Sequence, residues 1–254
     1  MMKVIKIGGG IIDSSDQLHA VLDSIVHIQD PVVLVHGGGR VATDLAHRLG
    51  VEQQLVNGRR VTDQETLQIV TMTYAGWINK TIVAGLQSRG VQALGLTGVD
   101  LDLITSRIRS SEPIDYGFVG DPVHVNASVL RELLSIQEQR TVLVVAPITH
   151  DGQGTLLNTN ADTIATEIAS ACAPNVELTF VFDLPGVLTN IEDPGSLIRH
   201  IDKDQADRMV ASGEITTGML PKIENALRAV ERGVALVRIA RYDALNTAEG
   251  TWIS

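Results

Sequence analysis

The fold of this chain is decided by two short segments, Val4-Ile-Lys-Ile-Gly-Gly-Gly10 and Val32-Val-Leu-Val-His-Gly-Gly-Gly39. Each begins with a run of mainly β-branched and aliphatic residues that is typical of a buried strand, and each ends in three consecutive glycines. Beyond each triplet, apolar residues recur at helical spacing. Both segments therefore predict a strand that is followed by a tight turn and then a helix.

Repeated units of this kind continue along the chain. Four further segments have the apolar, β-branched composition of buried strands: Val91–Leu96, Val142–Val145, Thr179–Phe182 and Leu236–Ile239. Residues 99–125 contain short alternating pieces separated by turn residues, which favours a β-hairpin. Strands that alternate with helices predict an α/β fold, namely a three-layer αβα sandwich with a mostly parallel open sheet.

Polar residues mark the predicted helix starts. Ser14 and Thr62 are each followed three positions later by Gln or Glu, which is the spacing of a capping box. Thr62 is expected to open a long helix that runs toward Ser88. Asn126 and Asn160 favour the first positions of two further helices. The remaining predicted helices cover Asp202–Ser212 and Gly218–Arg232.

The composition excludes several classes of protein. The chain has 254 residues and a formal net charge of −10, from 20 Lys and Arg against 30 Asp and Glu. An acidic chain with 3% aromatic residues argues against a general nucleic-acid or anionic-membrane binder. The longest apolar run, Val142–Ile148, is far below the ~20 residues that span a bilayer. The single cysteine, Cys172, is expected to be a buried, inert thiol, and we therefore expect a cytoplasmic protein.

The two glycine triplets carry the first indication of function. In an open α/β sheet, ligands gather at the carboxyl ends of the strands, and both triplets lie at such ends. Glycine lets backbone N–H groups at a helix start converge on an anion, so the triplets favour an anion site over two plain tight turns. The chain contains no Gly-Lys pair and no G-x-G-x-x-G motif. If a nucleotide binds, its phosphates need a different cradle.

Two lysines occupy positions that are unfavourable without a charged partner. Lys6 interrupts the first strand, where a buried ammonium requires an anion. Lys222 lies in the first turns of a predicted helix, where the dipole disfavours a cation unless an anion binds nearby. Asp162 is the carboxylate suited to hold a lysine by ion pairing. The alternatives are a solvated edge-strand lysine, a solvated helix lysine and a plain helix start at Asn160.

Other polar residues extend the candidate site. The planar fork of Arg60 suits a carboxylate, and Arg59 beside it is the competitor for that role. Asn158 and Asn160 form a polar cluster that is suited to grip a substrate. His36 is expected to be a structural turn residue, and the seven histidines show no metal-ligand spacing. No metal site built from protein side chains is therefore expected.

Seven short motifs occur in one order along the chain. They are Lys6-Ile-Gly-Gly9, Val35-His-Gly-Gly-Gly39, Asn57-Gly-Arg-Arg-Val-Thr62, Asn79-Lys80, Asn158-Thr-Asn-Ala-Asp162, Asp183-Leu-Pro-Gly-Val-Leu188 and Gly218-Met-Leu-Pro-Lys222. Taken together they resemble the amino acid kinase family, and within it the members that phosphorylate an N-acylated glutamate in arginine biosynthesis. The resemblance covers nearly the whole chain.

The resemblance implies transfer of a phosphoryl group from ATP to the γ-carboxylate of N-acetyl-L-glutamate, with Mg²⁺ bridging the β- and γ-phosphate oxygens. By similarity, Lys6 and Lys222 are catalytic and stabilise the transferring group, while Asp162 orients them. The implied substrate-binding residues are Gly38, Gly39, Arg60, Asn158 and Asn160. The implied nucleotide-binding residues are Gly9, Asp183, Leu184, Pro185, Gly186, Val187, Leu188, Glu214, Ile215 and Thr216. The resemblance also implies two lobes, residues 1–174 for the acyl amino acid and dimerisation and residues 175–254 for ATP.

The chain departs from the family pattern in one loop. Gly95-Leu-Thr-Gly-Val-Asp-Leu101 lacks the Lys and Gly that often follow in the family's G-x-x-G-x-D-G pattern. N-succinyl-L-glutamate is therefore an alternative substrate, and its extra carboxylate would need a cation such as Lys80, Arg107 or Arg109. Aspartate or carbamate kinases of the same fold and a non-catalytic amino-acid sensor are further alternatives. Because the sequence begins directly with its first strand, we expect a homodimer that arginine does not inhibit.

Overall fold

A computed structural model of the chain describes residues 1–56, 58–135, 140–190, 192–212 and 219–254. Its strands in chain order are β1 (Met2–Ile7), β2 (Val32–His36), β3 (Leu55–Val56), β4 (Arg59–Arg60), β5 (Gln92–Thr97), β6 (Ile104–Ile108), β7 (Gly120–Val125), β8 (Thr141–Ala146), β9 (Ile148–His150), β10 (Leu156–Asn158), β11 (Val176–Phe182), β12 (Val187–Leu188), β13 (Leu197–Ile198), β14 (His200–Ile201), β15 (Leu236–Arg241) and β16 (Thr251–Ile253). The α-helices are α1 (Gly9–Asp13), α2 (Ser15–His27), α3 (Gly39–Arg48), α4 (Gln64–Thr71), α5 (Asn79–Gln87), α6 (Ala127–Ser135), α7 (Ala161–Cys172), α8 (Lys203–Ser212) and α9 (Leu220–Glu231).

Eight strands form one central sheet in the order β14-β16-β15-β11-β1-β2-β8-β5. All neighbouring pairs are parallel except β15 with β16. The predicted mostly parallel sheet is therefore confirmed. Because β1 pairs with both β2 and β11, the strand that carries Lys6 lies in the middle of the sheet and not at its edge.

The side chains of β1 and β2 divide the core into two clusters, since successive residues of a strand point to opposite faces. On one face Val4, Val33 and Val35 are buried among residues of α6, α7, α8 and α9. On the other face Ile5 and Leu34 are buried among residues of α2, α3, α4 and α5. Helices thus cover both faces, and the predicted three-layer αβα sandwich is confirmed.

A second, four-stranded sheet has the order β10-β9-β6-β7. Strands β6 and β7 pair antiparallel, which confirms the hairpin predicted within residues 99–125. The hairpin of β9 and β10 was not predicted. Its signal was the turn Asp151-Gly-Gln-Gly154, in which the Asp151 carboxylate accepts hydrogen bonds from the Gln153 and Thr155 N–H groups. Strand β10 ends at Asn158 and so leads directly into the candidate site.

Two details of the predicted long helix are wrong. Its cap is Asp63, whose carboxylate accepts the Thr66 N–H at 2.8 Å, and not Thr62. Aspartate is as good a cap as threonine, and Thr62 is fully buried with its hydroxyl bonded to the Arg60 carbonyl. The helix is also interrupted between α4 and α5 by a π-helix over Met72–Ile78. Such segments are rare and frequent at functional sites.

Asn79 directly follows the π-helix, and its side chain lies in the core in contact with β2, β5 and β8. The Asn79 amide donates to the Val144 carbonyl at 2.9 Å and lies 3.3 Å from His36 Nε2. It is 1% exposed. A Cβ at Gly95 would overlap the Asn79 side-chain oxygen, so Gly95 provides the space for this contact. The amide thereby ties α5 to β8 and to the end of β2.

The boundary predicted at residues 173–175 does not interrupt the sheet. Helix α7 ends at Cys172, and β11 then enters the centre of the same sheet beside β1. The division into an N-terminal lobe, residues 1–174, and a C-terminal lobe, residues 175–254, stays a prediction. Among the described residues, no helix is long and apolar enough to cross a membrane.

The loop after β5 contains a leucine whose backbone strain can be tested by substitution. Leu101 has a φ of 54° and is 63% exposed, at the position where the family pattern has glycine. A left-handed backbone costs a β-carbon-bearing residue about 1 kcal/mol or more. We predict that Leu101→Gly has a free energy of unfolding about 1 kcal/mol higher than Leu49→Gly, measured by urea denaturation, because both variants carry the entropy cost of glycine but only the first relieves strain.

Leu49→Gly is the matched control for this prediction. Leu49 is 57% exposed but has a φ of −91°, which any residue adopts. Its replacement should leave stability unchanged or lower it, because glycine only adds freedom to the unfolded chain. An equal or lower urea midpoint for Leu101→Gly than for Leu49→Gly would contradict the strain argument.

Candidate active site

A cavity of about 230 Å³ lies at the carboxyl ends of β1 and β2. It is lined by backbone of both glycine segments and by side chains from α4–α5, β4, β10 and α7. The lining residues are Lys6, Gly9, Gly37, Gly38, Gly39, Leu55, Gly58, Arg59, Arg60, Tyr74, Val119, Pro147, Asn158, Thr159, Asn160, Ala161 and Asp162. The structure thus brings together Lys6, Asp162, Gly9 and all five predicted substrate-binding residues.

The two glycine segments meet at the floor of this cavity. A Cβ at Gly9 would lie 3.8 Å from the Gly39 nitrogen and 3.9 Å from the Gly38 nitrogen. Gly38 has a φ of 143°, and a Cβ there would overlap Ile78 of the π-helix. Only glycine therefore fits at position 38. Gly38 and Gly39 begin α3, so their N–H groups are available to an anion at the positive end of a helix.

Lys6 forms a buried ion pair with Asp162. The Lys6 ammonium lies 2.8 Å from an Asp162 carboxylate oxygen, and the two side chains are 7% and 15% exposed. Lys6 shares a strand face with Val4, which points toward α7, and Asp162 lies in the first turn of α7. A carboxylate is favourable in that turn because of the helix dipole. The expected anionic partner of Lys6 is therefore present.

Lys222, on α9, is not among the residues that line the cavity, but its ammonium lies close enough to Lys6 and Asp162 for their charges to act on it. Its ammonium lies 4.0 Å from the centre of the Phe182 ring, over which the Lys6 ammonium also lies, at 5.2 Å. Burial lowers the pKa of Lys222, and the charge of Lys6 lowers it further, while Asp162 and Asp183 oppose both effects. Two cations are thus held near one another at the end of β11.

Arg60 is buried beside the start of α3. Its guanidinium donates to the Gly39 carbonyl and the Thr43 hydroxyl, both at 2.8 Å, and to the Gln53 side chain. Arg60 is 8% exposed, whereas Arg59 is exposed, yet both line the cavity. Burial lowers the pKa of Arg59, and the nearby charge of Arg109 adds to this. The pair therefore divides into a fixed, buried cation and a solvated one at the cavity wall.

The two asparagines differ in what they do. The Asn158 amide donates to the buried Thr62 hydroxyl at 3.0 Å, which fixes its side chain against the loop before α4. The Asn160 side chain accepts the Thr163 N–H at 3.0 Å and so caps α7. Asn160 is therefore the predicted cap, and Asp162, two residues later, forms the predicted ion pair with Lys6. Substrate binding by this segment stays a prediction.

The predicted nucleotide segment follows β11 directly. Asp183 is exposed, Leu184 and Pro185 are half-buried, and Leu188 pairs with Leu197 in a two-stranded ribbon. Val187 is 1% exposed, so its side chain belongs to the core. A Cβ at Gly186 would crowd the Thr251 hydroxyl, which accepts the Val187 N–H. Glu214, Ile215 and Thr216 lie outside the described residues.

His36 and Cys172 are both buried, and neither is among the residues that line the cavity. His36 Nδ1 lies 2.9 Å from the Gly37 carbonyl, and Nε2 faces the Asn79 amide. Burial lowers the pKa of His36 to about 4, so the ring is neutral near pH 7. Burial raises the pKa of the Cys172 thiol, as expected for an inert cysteine.

Two residues of the site were missed from the sequence. Tyr74 lines the cavity, and burial raises the pKa of its phenol while the charge of Arg60 opposes this. The centre of the Phe182 ring lies 5.2 Å from the Lys6 ammonium and 4.0 Å from the Lys222 ammonium. In the sequence, Tyr74 was one apolar-face residue of a long helix, and Phe182 was the last residue of a buried strand. Neither pattern distinguishes a site residue from a core residue.

The cavity is lined mainly by positive charges, whereas the whole chain has a negative net charge. Among the described lining residues, Lys6, Arg59 and Arg60 supply three positive charges against the single carboxylate of Asp162. Lys80, Arg107 and Arg109 do not line it. No group of three or more His, Cys, Asp or Glu suited to a metal occurs in the described part of the chain. The site can therefore attract a small polyanion within an acidic protein.

The chain was compared with known proteins. The model of the amino acid kinase family matches residues 1–241. The chain is 48% identical over 254 residues to the acetylglutamate kinase of Bacteroides thetaiotaomicron, covering 99% of this chain and 98% of the relative. It is 49% identical over 250 residues to that of Parabacteroides distasonis, covering 98% and 97%. Among solved structures, the protein smu.665 of Streptococcus mutans matches with a TM-score of 0.83 and 30% identity, covering 100% of this chain and 98% of the other.

A more distant structure shows the fold alone. Carbamate kinase of Giardia lamblia bound to AMP-PNP matches with a TM-score of 0.69 at 15% identity, covering 99% of this chain and 97% of the other. The similarity confirms that the αβα arrangement is that of the amino acid kinases.

The buried His36 gives stability a defined pH dependence. Its pKa is about 4 in the folded chain and has its ordinary value of 6.5 in the unfolded chain. Between these values the unfolded state binds more protons, so stability falls as the pH falls, by about 3 kcal/mol over the full interval. We predict that urea unfolding of His36→Gln shows a smaller loss between roughly pH 7 and roughly pH 5, by about 2 kcal/mol.

His19→Gln provides the control, because His19 is exposed on α2. It should lose as much stability on acidification as the wild type. If His36→Gln and the wild type lose the same free energy of unfolding, His36 is protonated alike in both states and the argument from burial is wrong.

Proposed function

Because the chain belongs to the amino acid kinase family, we propose that it transfers a phosphoryl group from ATP to the γ-carboxylate of N-acetyl-L-glutamate, forming N-acetyl-L-glutamyl 5-phosphate in arginine biosynthesis. Full-length identities near 48% to acetylglutamate kinases support this activity. The observation that carries it in the molecule is the cationic cavity in which the buried Lys6–Asp162 pair meets the glycine-lined start of α3.

The reaction requires an anion to attack a polyanion. A γ-carboxylate is ionised at pH 7 and needs no general base, so a catalytic histidine is unnecessary. The work of the protein is to position both anions and to offset their repulsion. The neutral, fully buried His36 fits this chemistry, since the proposed reaction requires no histidine as a general base.

Lys6 and Lys222 are the catalytic groups of this proposal. Their ammonium groups stabilise the negative charge on the oxygens of the transferring phosphoryl group. Asp162 holds Lys6 in place through the ion pair at 2.8 Å and offsets the cost of burying its charge. The lowered pKa of Lys222 is consistent with a buried cation that is completed by an anionic ligand.

The acyl amino acid would lie in the cavity. The N–H groups of Gly38 and Gly39 would bind the attacking carboxylate at the start of α3. Arg60 and Asn158 would bind the α-carboxylate with the donors that their contacts to Gly39, Thr43, Gln53 and Thr62 leave free. The second amide of Asn160, which the cap of α7 does not use, would complete the polar wall.

The nucleotide would lie beside the end of β11. Gly9, Asp183–Leu188 and Glu214–Thr216 are its proposed contacts, within the lobe of residues 175–254 and at its border with the first lobe. ATP supplies the phosphoryl group, and Mg²⁺ lowers the negative charge on the phosphate oxygens. Because the lining carries a single carboxylate among the described residues, Mg²⁺ would be held mainly by phosphate and water oxygens.

A homodimer in the cytoplasm completes the proposal. Among the described residues, β5 is the last strand of the central sheet, and α5 packs beside it. Leu94 on that strand and Met72 and Trp77 in the π-helix are exposed, Trp77 by 70%. Large exposed apolar side chains next to an open strand edge favour a partner, and a second copy is the partner that we propose.

One observation favours N-succinyl-L-glutamate as a second candidate substrate. Arg59 lines the cavity while its side chain stays solvated, so it is free to meet an additional carboxylate. Arg109, considered for this role from the sequence, is paired with Asp121. The buried Arg60 with Asn158 favours a substrate that has an α-carboxylate, which argues against carbamate.

An assay with hydroxylamine tests the function directly, because acyl phosphates react with it to form hydroxamates. We predict that the purified protein with ATP and Mg²⁺ forms hydroxamate and ADP from N-acetyl-L-glutamate or its succinyl analogue. L-Glutamate, L-aspartate and carbamate serve as controls and should give neither product above background. No turnover of any acylated glutamate would refute the proposal.

Arg60→Lys tests recognition of the substrate. Lysine keeps the charge but not the planar fork, so KM for the acylated glutamate should rise roughly 10- to 100-fold with kcat nearly unchanged. Arg59→Lys is the matched control and should change KM for N-acetyl-L-glutamate by less than about threefold. If Arg59→Lys raises KM and Arg60→Lys does not, the two arginines have exchanged roles.

A further inference from the structure

The two lysines that the proposed function makes catalytic both contact the same uncharged aromatic ring. The Lys222 and Lys6 ammonium groups lie 4.0 Å and 5.2 Å from the centre of the Phe182 ring. Both distances are within the range in which an aromatic face attracts a cation. We propose that Phe182 is a positioning residue, and that its ring keeps the two ammonium groups near one another for the phosphoryl group.

The ring is itself held firmly. Phe182 ends β11, where its backbone carbonyl accepts the Tyr242 N–H at 3.0 Å, and it is 7% exposed within the core beneath α7 and α9. Gly8 packs against it, since a Cβ there would lie 3.4 Å from the ring. A ring packed on several sides in this way offers the lysines a fixed surface.

Lys222 depends on this surface more than Lys6 does. Lys6 has its ion pair with Asp162. Within the described part of the chain, no ion pair holds Lys222, whose ammonium lies over the Phe182 ring at 4.0 Å from its centre. The charged groups that face Lys222 are Lys6 from β1, Asp162 from α7 and Asp183 after β11.

An aromatic face suits this position better than another carboxylate would. A carboxylate would hold Lys222 but would also cancel its charge, and the phosphoryl oxygens would then meet a neutral pair. The quadrupole of the ring attracts the ammonium and leaves its net charge available to the ligand. Among the described residues, the two lysines have one acid in direct contact, which is Asp162 on Lys6.

Replacing Phe182 with phenylalanines that carry one, two and three ring fluorines tests this role, because fluorine weakens the quadrupole and scarcely changes the shape. This inference rests on the proposed function, so activity is measured as kcat and KM in the hydroxamate assay. We expect kcat to fall with each added fluorine, KM for both substrates to stay within about twofold, and the melting temperature to stay nearly constant. Phe182→Leu should lower kcat about 5- to 30-fold, and Phe182→Tyr should restore most of it.

Phe180 is the matched control. It lies two residues earlier on the same strand face, is fully buried, and none of the described Lys or Arg side chains lies over its ring. The same fluorinated residues at position 180 should leave kcat unchanged. The positioning role is wrong if fluorination at position 182 leaves kcat unchanged. It is also wrong if fluorination at position 180 lowers kcat by the same amount.

A second measurement does not depend on turnover. In protein labelled with ¹³C and ¹⁵N lysine, with the Lys222 signal assigned from Lys222→Arg, the pKa of Lys222 should be lower in Phe182→Leu than in the wild type. An unchanged pKa would overturn the inference. If the wild type phosphorylates no acylated glutamate, the proposed function fails, and this titration still decides whether Phe182 stabilises the Lys222 ammonium.

Discussion

The buried ion pair between Lys6 and Asp162 is the constraint around which the site is arranged. A lysine in the middle of a parallel sheet is tolerated only because α7 begins at the right height to present a carboxylate at 2.8 Å. That requirement fixes the start of α7, and Asn160 secures it by capping the helix. Asn158 then stands at the end of β10, beside the same cavity. A buried lysine in β1, the cap of α7 and the end of β10 thus meet at one cavity.

Residues that obey simple local rules could be predicted from the sequence. The strand–glycine segments, the caps at Ser14 and Asn160 and the two-sided core follow from spacing and side-chain type. The need of Lys6 for an anion followed from the cost of burying a charge, and Asp162 was the acid suited to meet it. The substrate-side residues came together because they lie at carboxyl strand ends or next to them, where topology leaves little choice.

Other features depend on long-range packing that no local pattern encodes. The π-helix is accompanied by two such contacts, since Asn79 reaches β8 and His36 while Ile78 packs against Gly38. The cap at Asp63 replaced Thr62 because the Thr62 hydroxyl was needed by Asn158. Phe182 was missed because a buried aromatic residue at a strand end is usually only core. In each of these cases a tertiary contact decided the role of the residue, although the local sequence pattern favoured a different one.

The Asn79 brace has a mechanical consequence for the glycine segment of β2. Since one amide contacts both His36 and the backbone of β8, the start of α3 is fastened to the interior of the sheet and not only to its own strand. The anchored side of the cavity is therefore the side that would receive the acyl amino acid. If the proposed function is correct, the acyl amino acid would therefore bind against a helix start that the core of the sheet holds in place, and its carboxylates would meet donors whose positions are fixed before binding.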